Sequence, residues 1–307
     1  MRHFLMKIVL FIIFLCILGE VVLRAFRVVP DIPERVIDKY NIQRYKPGQS
    51  GYYANAQEKW NVNNYGWLGT SDTSNDTIIS IIGDSFIENI MNPIGSNQGS
   101  LLKSLLPNYS FFEAGRAGVT FIEAMEISKV LDIEVSPKYQ LLYLSGGDFY
   151  ESISEISRYS DRLQVSVENQ KLLISQLKSP RMKKILYNIK ILYYLYLKYP
   201  IFVDIQNKGE TPKALLAKKN DYDSLVFNKL FNFCSNNYNL NKLVFVFHPN
   251  TDNIIIAMAN QYGIKTILLD SSGDKTWRLG KNDGHWSIYG HKQVSNQVYN
   301  GLIKIIK

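Results

Sequence analysis

The sequence predicts an α/β fold, a doubly wound parallel sheet of about five strands with helices on both faces, and three observations predict it. From residue 77 onward, short apolar runs alternate with helix-length amphipathic segments, the pattern of successive βα units. The runs are predominantly apolar, as strands buried on both faces are. The first run, Ile78 to Ile82, stops abruptly at Gly83-Asp84-Ser85, at the carboxyl end of a strand, where open α/β sheets place their sites. In order, strands are expected at Thr77–Ile82, Tyr109–Glu113, Tyr139–Leu144, Lys242–His248 and Lys265–Asp270. Helical patterns follow at about 85–91, 97–106, 120–132, 252–261 and 287–305. Between the third and fourth strands lies an insertion, about 151–238, rich in Tyr, Lys and Leu and expected to be mostly helical.

The segments before the first strand are of another kind. Residues 1–27 begin with basic residues and continue through twelve apolar or glycine residues, Ile8 to Gly19, short of the ~20 that span a bilayer. Counting to Phe26 gives nineteen, interrupted by Glu20 and Arg24, which lie four apart on a helix and so can pair. An uncleaved single-pass anchor is the expectation, with the bulk of the chain extracytoplasmic. A cleaved signal segment is the competitor, although small-x-small cleavage spacing is poor here. Residues 28–76, polar and rich in Asn, Gly, Tyr and Pro, read as a stalk and entry loop packed on the domain of 77–307. Within the insertion, "RMKKILYNIKILYYLYLKYP" (181–200) could lie on a membrane surface, although a helix over the core or the site is the plainer reading.

Composition removes several function classes. The 307 residues are 46% hydrophobic and 20% charged, which suits a globular domain. The net charge of +8 is spread along the chain without a dense basic block, so attraction to an anionic membrane is expected and nucleic acid is not. Cys16 lies in the apolar segment and does not look like a disulfide partner of Cys234. Neither a G-x-G-x-x-G nor a P-loop follows the first strand, and no Cys/His cluster has ligand spacing, so no nucleotide, metal or organic cofactor is expected.

Ser85 at the strand end raises the question of a nucleophile, which needs a base, an acid to orient it, and donors for an oxyanion. Of the four histidines, His3 sits at the membrane-facing N-terminal end and is set aside, and His248 ends a strand with no acid beside it and reads as structural. His285 lies two residues after Asp283 in a Gly-containing loop before the last helix, where a turn brings the carboxylate to Nδ1 and leaves Nε2 for the serine. His291 reads as a packed or capping residue. Each feature also has a plain alternative: Asp84 as a helix cap, Gly83 and Gly118 as turns, Asp283-Gly284 as a reverse turn, Trp286 as a core anchor.

Taken in this order, the motifs resemble the SGNH/GDSL hydrolase superfamily, in particular its bacterial members with an N-terminal membrane anchor. The resemblance covers most of 60–307 apart from the insertion, and implies the flavodoxin-like SGNH fold. "IIGDSFIEN" resembles the first block, which would make Ser85 the nucleophile and its N–H an oxyanion donor. "FFEAGRAGVT" resembles the second, whose glycine donor is best matched by Gly118, with Gly115 as the alternative. "LLYLSGGDFYES" is similar to the third and "NDGHWSIYGH" to the last, giving Asp283 and His285; "VNNYGWLGT" resembles an N-x-x-G stretch of the anchored members. Two positions depart from the pattern. The Asn that donates to the oxyanion in the third block is replaced by Gly147, or, one residue along, by Asp148, whose carboxylate would repel an oxyanion unless protonated. The acid usually three residues before His is Asn282 here, with Asp283 at two. The resemblance implies a cofactor-free serine esterase acting on O-acyl groups of envelope glycans or lipids. An O-acyltransferase modifying a surface polysaccharide, or an inactive envelope scaffold, are the alternatives.

Overall fold

The computed structural model describes residues 1–199 and 224–306. Its central sheet has five parallel strands: β1 (Ile78–Gly83), β2 (Ser110–Gly115), β3 (Tyr139–Leu144), β4 (Leu243–Phe247) and β5 (Lys265–Leu268). They lie in the order β2-β1-β3-β4-β5, the flavodoxin-like doubly wound order with its switch point between β1 and β3. The helices are α1 (Arg2–Ala25), α2 (Ser85–Glu88), α3 (Gln98–Leu105), α4 (Phe121–Glu134), α5 (Gly146–Ser152), α6 (Pro180–Asn188), α7 (Lys190–Lys198), α8 (Ser224–Asn237), α9 (Asn253–Gln261) and α10 (Ile288–Leu302).

Alternation along each strand sends side chains to opposite faces. Ile82, Leu142, Leu144, Phe245 and Phe247 enter a core closed by α4, α8 and α9. Ile79, Ile81, Leu141, Val244 and Val246 meet Leu102 of α3 and Val294, Val298 and Leu302 of α10. Both faces are therefore covered, which is why the strands carry continuous apolar runs. Helix α8 buries Phe227, Phe231 and Cys234 against β4 as the crossover from β3, so the end of the 151–238 stretch is core rather than insertion. Residues 200–223 of the expected, mostly helical insertion lie outside the described residues; the described part holds an antiparallel hairpin, Gln164–Ser166 with Lys171–Leu173, beside the helices α6 and α7.

Residues 28–76 fold into two antiparallel hairpins, Arg35–Ile37 with Gln43–Tyr45 and Ser50–Tyr52 with Lys59–Asn61. The chain then runs antiparallel along β2, bridging at Leu68 with Gly115 and Ser71 with Phe112, and so covers that open edge. Helix α1 has no buried residue and is long and apolar enough to cross a bilayer, as a signal sequence would also be.

Candidate active site

The chain turns sharply after β1 to place Ser85 at the switch point. A Cβ on Gly83 would stand 2.6 Å from Cγ1 of Ile87, so only glycine lets α2 fold back over the strand end. Asp84 caps α2, its Oδ1 accepting the Phe86 N–H at 2.9 Å, as the plain alternative for Asp84 has it. Asn89 (φ +47°) ends α2 after a single turn, shorter than the 85–91 helix expected. Ser85 is the first helical residue, and its N–H has no acceptor among the described residues.

Asp283 and His285 lie on a short strand, Asp283–Trp286, paired through a bulge with Arg278–Gly280, rather than in a loop. Residues two apart on a strand share a face, which is how an acid at minus two meets the imidazole. Oδ1 of Asp283 accepts the His285 backbone N–H at 3.0 Å and pairs with its Nδ1 at 2.6 Å. A carboxylate only accepts, so Nδ1 carries the proton and Nε2 is left as acceptor for the Ser85 hydroxyl, 2.8 Å away. Burial pushes the Asp283 carboxyl up, but the His285 N–H and ring outweigh it and hold it below its ordinary value. Phe86 packs on the imidazole with centroids 5.0 Å apart, and Asn92 Nδ2 ties the strand down at the Trp286 carbonyl, 2.9 Å away.

The other histidines stand apart from this relay. His248 packs between Phe86 and Trp286, and His291 meets Gln98 Nε2 at 3.1 Å; burial lowers each imidazole to about 3. His3 belongs to α1.

The turns after β2 and β3 flank Ser85, since those strands are the two neighbours of β1. In the first, Gly118 has φ +78°, a conformation that favours glycine, and its N–H has no acceptor among the described residues. Gly115 has a different use: a Cβ there would lie 2.6 Å from the Ile87 carbonyl carbon, so it lets α2 rest on β2. Ala117, between them, is held at both ends of its backbone. Its N–H donates to Glu88 Oε2 at 3.1 Å, and its carbonyl accepts from Arg35 at 3.0 Å and Arg116 at 2.8 Å. The Tyr45 hydroxyl donates to the other Glu88 oxygen, and buried Arg116 pairs with Glu123 at 2.5 Å. In the second turn Gly147 has no side chain to offer, and Asp148 is turned away into a capping box with Ser145, whose N–H it accepts at 2.6 Å. Burial, then Asp84, pushes the Asp148 carboxyl well up, and burial raises Asp84 itself to about 6.

Sequence reasoning missed Arg35, Tyr45 and Glu88, and also Tyr53, whose hydroxyl is raised by burial and by the nearby Asp283 and Glu88 carboxylates. Their spacing in the chain carries no signal, because long-range folding brings them together. No metal-ligating cluster occurs among the described residues.

No family model and no curated protein matches the chain. Solved structures do match it. TesA does so at 10% identity over 75% of this chain and 100% of that one, with a TM-score of 0.40. A lipolytic protein of the G-D-S-L family from Desulfitobacterium hafniense matches at 12% over 74% and 99%, with a TM-score of 0.38. A Clostridium thermocellum family 3 carbohydrate esterase matches at 14% over 75% and 96%, with a TM-score of 0.40. Scores this low carry no weight for the chemistry, which stands on this chain's own residues and strand order.

Proposed function

We propose that the chain is a serine esterase of the SGNH/GDSL type, held at a membrane by α1 with its domain outside the cytoplasm. The observation that carries this is the unbroken relay from Asp283 through His285 to the Ser85 hydroxyl, at 2.6 and 2.8 Å, beside two unpartnered backbone donors. His285 takes the hydroxyl proton as Ser85 attacks the ester carbonyl, and Asp283 stabilises the imidazolium that forms. The N–H groups of Ser85 and Gly118 receive the developing oxyanion. His285 then hands its proton to the leaving alcohol, and an acyl-Ser85 remains. Water, deprotonated by His285, attacks this ester and returns free serine and an acid. O-acyl groups of envelope glycans or lipids suit an enzyme in that place. Gly147 favours a second reading, an inactive scaffold, since the third donor is missing.

Fluorophosphonate labelling of the detergent-solubilised chain tests the proposal. Labelling lost in Ser85→Ala is expected; a folded chain that takes no label would leave the scaffold.

A further inference from the structure

Helices α6 and α7 form an elbow whose outer side is apolar. Met182, Ile185, Ile189, Leu192, Leu195 and Tyr199 recur at three- and four-residue spacing and are all exposed, between 39% and 72%. The inner side differs: Tyr193 is buried, and buried Lys190 reaches Asp31 at 2.6 Å and the Pro30 carbonyl at 3.0 Å. The elbow is fastened to the last turns of α1. The Glu20 carboxylate accepts the backbone N–H groups of Lys190 at 3.0 Å and Ile191 at 2.9 Å, and Arg24 donates to the Asn188 carbonyl at 2.5 Å. Glu20 and Arg24 are the two charges that interrupt the apolar run of α1 toward its carboxyl end, so they lie at the interface end of that helix, where a charge is least costly. With α1 as an anchor, the exposed stripe of α6 and α7 is held near the level of the bilayer interface.

We propose that α6 and α7 dock on the surface of the anionic bilayer that α1 enters, with their apolar stripe among the upper acyl chains. The inference rests on α1 as an anchor and extends the esterase reading. Charge agrees with it. Arg181 is exposed on α6, and the cavity beside that helix is lined by Lys178 and Lys183 as well as by Lys184, which pairs with Glu34 at 3.3 Å; with Asp161 the only other carboxylate in its lining, cations remain in surplus there for lipid phosphates. An interfacial helix with basic residues on its polar side binds in this way. Docking would also bring the site to the membrane, for Arg35 lines the cavity beside α6 and donates to the Ala117 carbonyl next to Gly118, 3.0 Å away. An ester presented by the membrane surface is then the substrate within reach.

The test is fluorescence quenching of the full chain in vesicles of phosphatidylcholine and phosphatidylglycerol carrying nitroxide lipids. An environment-sensitive fluorophore is placed at Leu192→Cys or Leu195→Cys in a Cys16→Ser background, with Cys234 buried and out of reach. Apolar faces of interfacial helices sit ~5–10 Å deep, so a nitroxide on the upper acyl chain should remove roughly half the signal at both positions. The same fluorophore at exposed Gln170→Cys should keep its signal. Signal retained at both leucine positions overturns the inference, whether a second copy or another part of the chain covers the stripe. A fluorophore on native Cys16, quenched by a deep nitroxide, reports the anchor separately. Quenching at Cys16 alone leaves the anchor standing and removes the docking; quenching at neither removes both. Fluorophosphonate labelling is unaffected by these outcomes and judges the esterase reading on its own.

Discussion

The turns after β2 and β3 leave the same edge of the sheet on either side of Ser85, yet they are built on opposite plans. The first is braced from outside: Glu88 takes the Ala117 N–H, while Arg35 and Arg116 hold its carbonyl. Carboxylate and guanidinium balance each other in a buried network, and the Gly118 N–H is left free. The second is closed by its own Ser145–Asp148 capping box, with a bare Gly147 and, among the described residues, no cation paired to its buried carboxylate. A backbone donor becomes preorganised when the peptide beside it is fixed. A side-chain donor needs a residue that the second turn lacks.

The largest effect concerns what both turns serve. Ser85→Ala and His285→Ala should each lower kcat/KM for a short-chain ester by ~10⁴-fold or more, with an unchanged circular dichroism spectrum. Activity surviving in either would mean that the turns flank the wrong group.

Next is the missing donor. A Cβ on Gly147 meets only the Ser145 hydroxyl, at 3.6 Å, so a side chain fits there. Gly147→Asn should raise kcat by up to about 10²-fold, the worth of one oxyanion donor, with little change in KM. An unchanged kcat would show that the second turn is complete as it stands. The braced turn should respond in the opposite direction. Glu88→Gln keeps the shape but loses a charge-assisted hydrogen bond worth ~1.5 kcal/mol, so kcat should fall about tenfold while KM holds. A change in KM alone would move Glu88 out of the positioning role.

The two turns also differ in how much the sequence discloses. The five strands are legible because each is an apolar run between turn residues, and Ser85, Asp283 and His285 because each pair or triplet is local. What escapes is whatever depends on pairing across the chain. The acid two residues before His285 is explained by the strand partner Arg278–Gly280, and the short α2 by the left-handed Asn89. The brace around Ala117 joins positions 35, 45, 88 and 116, each of which reads alone as an ordinary polar residue. The α8 crossover looked like part of the insertion because its apolar residues say that it is buried, not where.

The smallest effect separates the turns by charge. Burial raises the carboxyls of both Glu88 and Asp148, but Arg35 and Arg116 pull Glu88 back, whereas the neighbouring Asp84 adds to the rise at Asp148. A carboxyl whose folded-state pKa is raised stabilises the fold below its unfolded value, near 3.8 for Asp, and loses that contribution as pH rises through the folded value. Asp148→Asn keeps an oxygen for the Ser145 N–H and removes the charge. It should therefore match the parent in melting temperature near pH 4 and exceed it at pH 7, by roughly 2–4 °C for each kcal/mol regained. Glu88→Gln also removes a carboxyl raised by burial, but the rise there is held back by the Tyr45 hydrogen bond and by Arg35 and Arg116, so its gain in melting temperature at pH 7 should be smaller than that of Asp148→Asn. If the two variants gained equally at neutral pH, the two turns would share one electrostatic plan, and the bare second turn would owe its weakness to Gly147 alone.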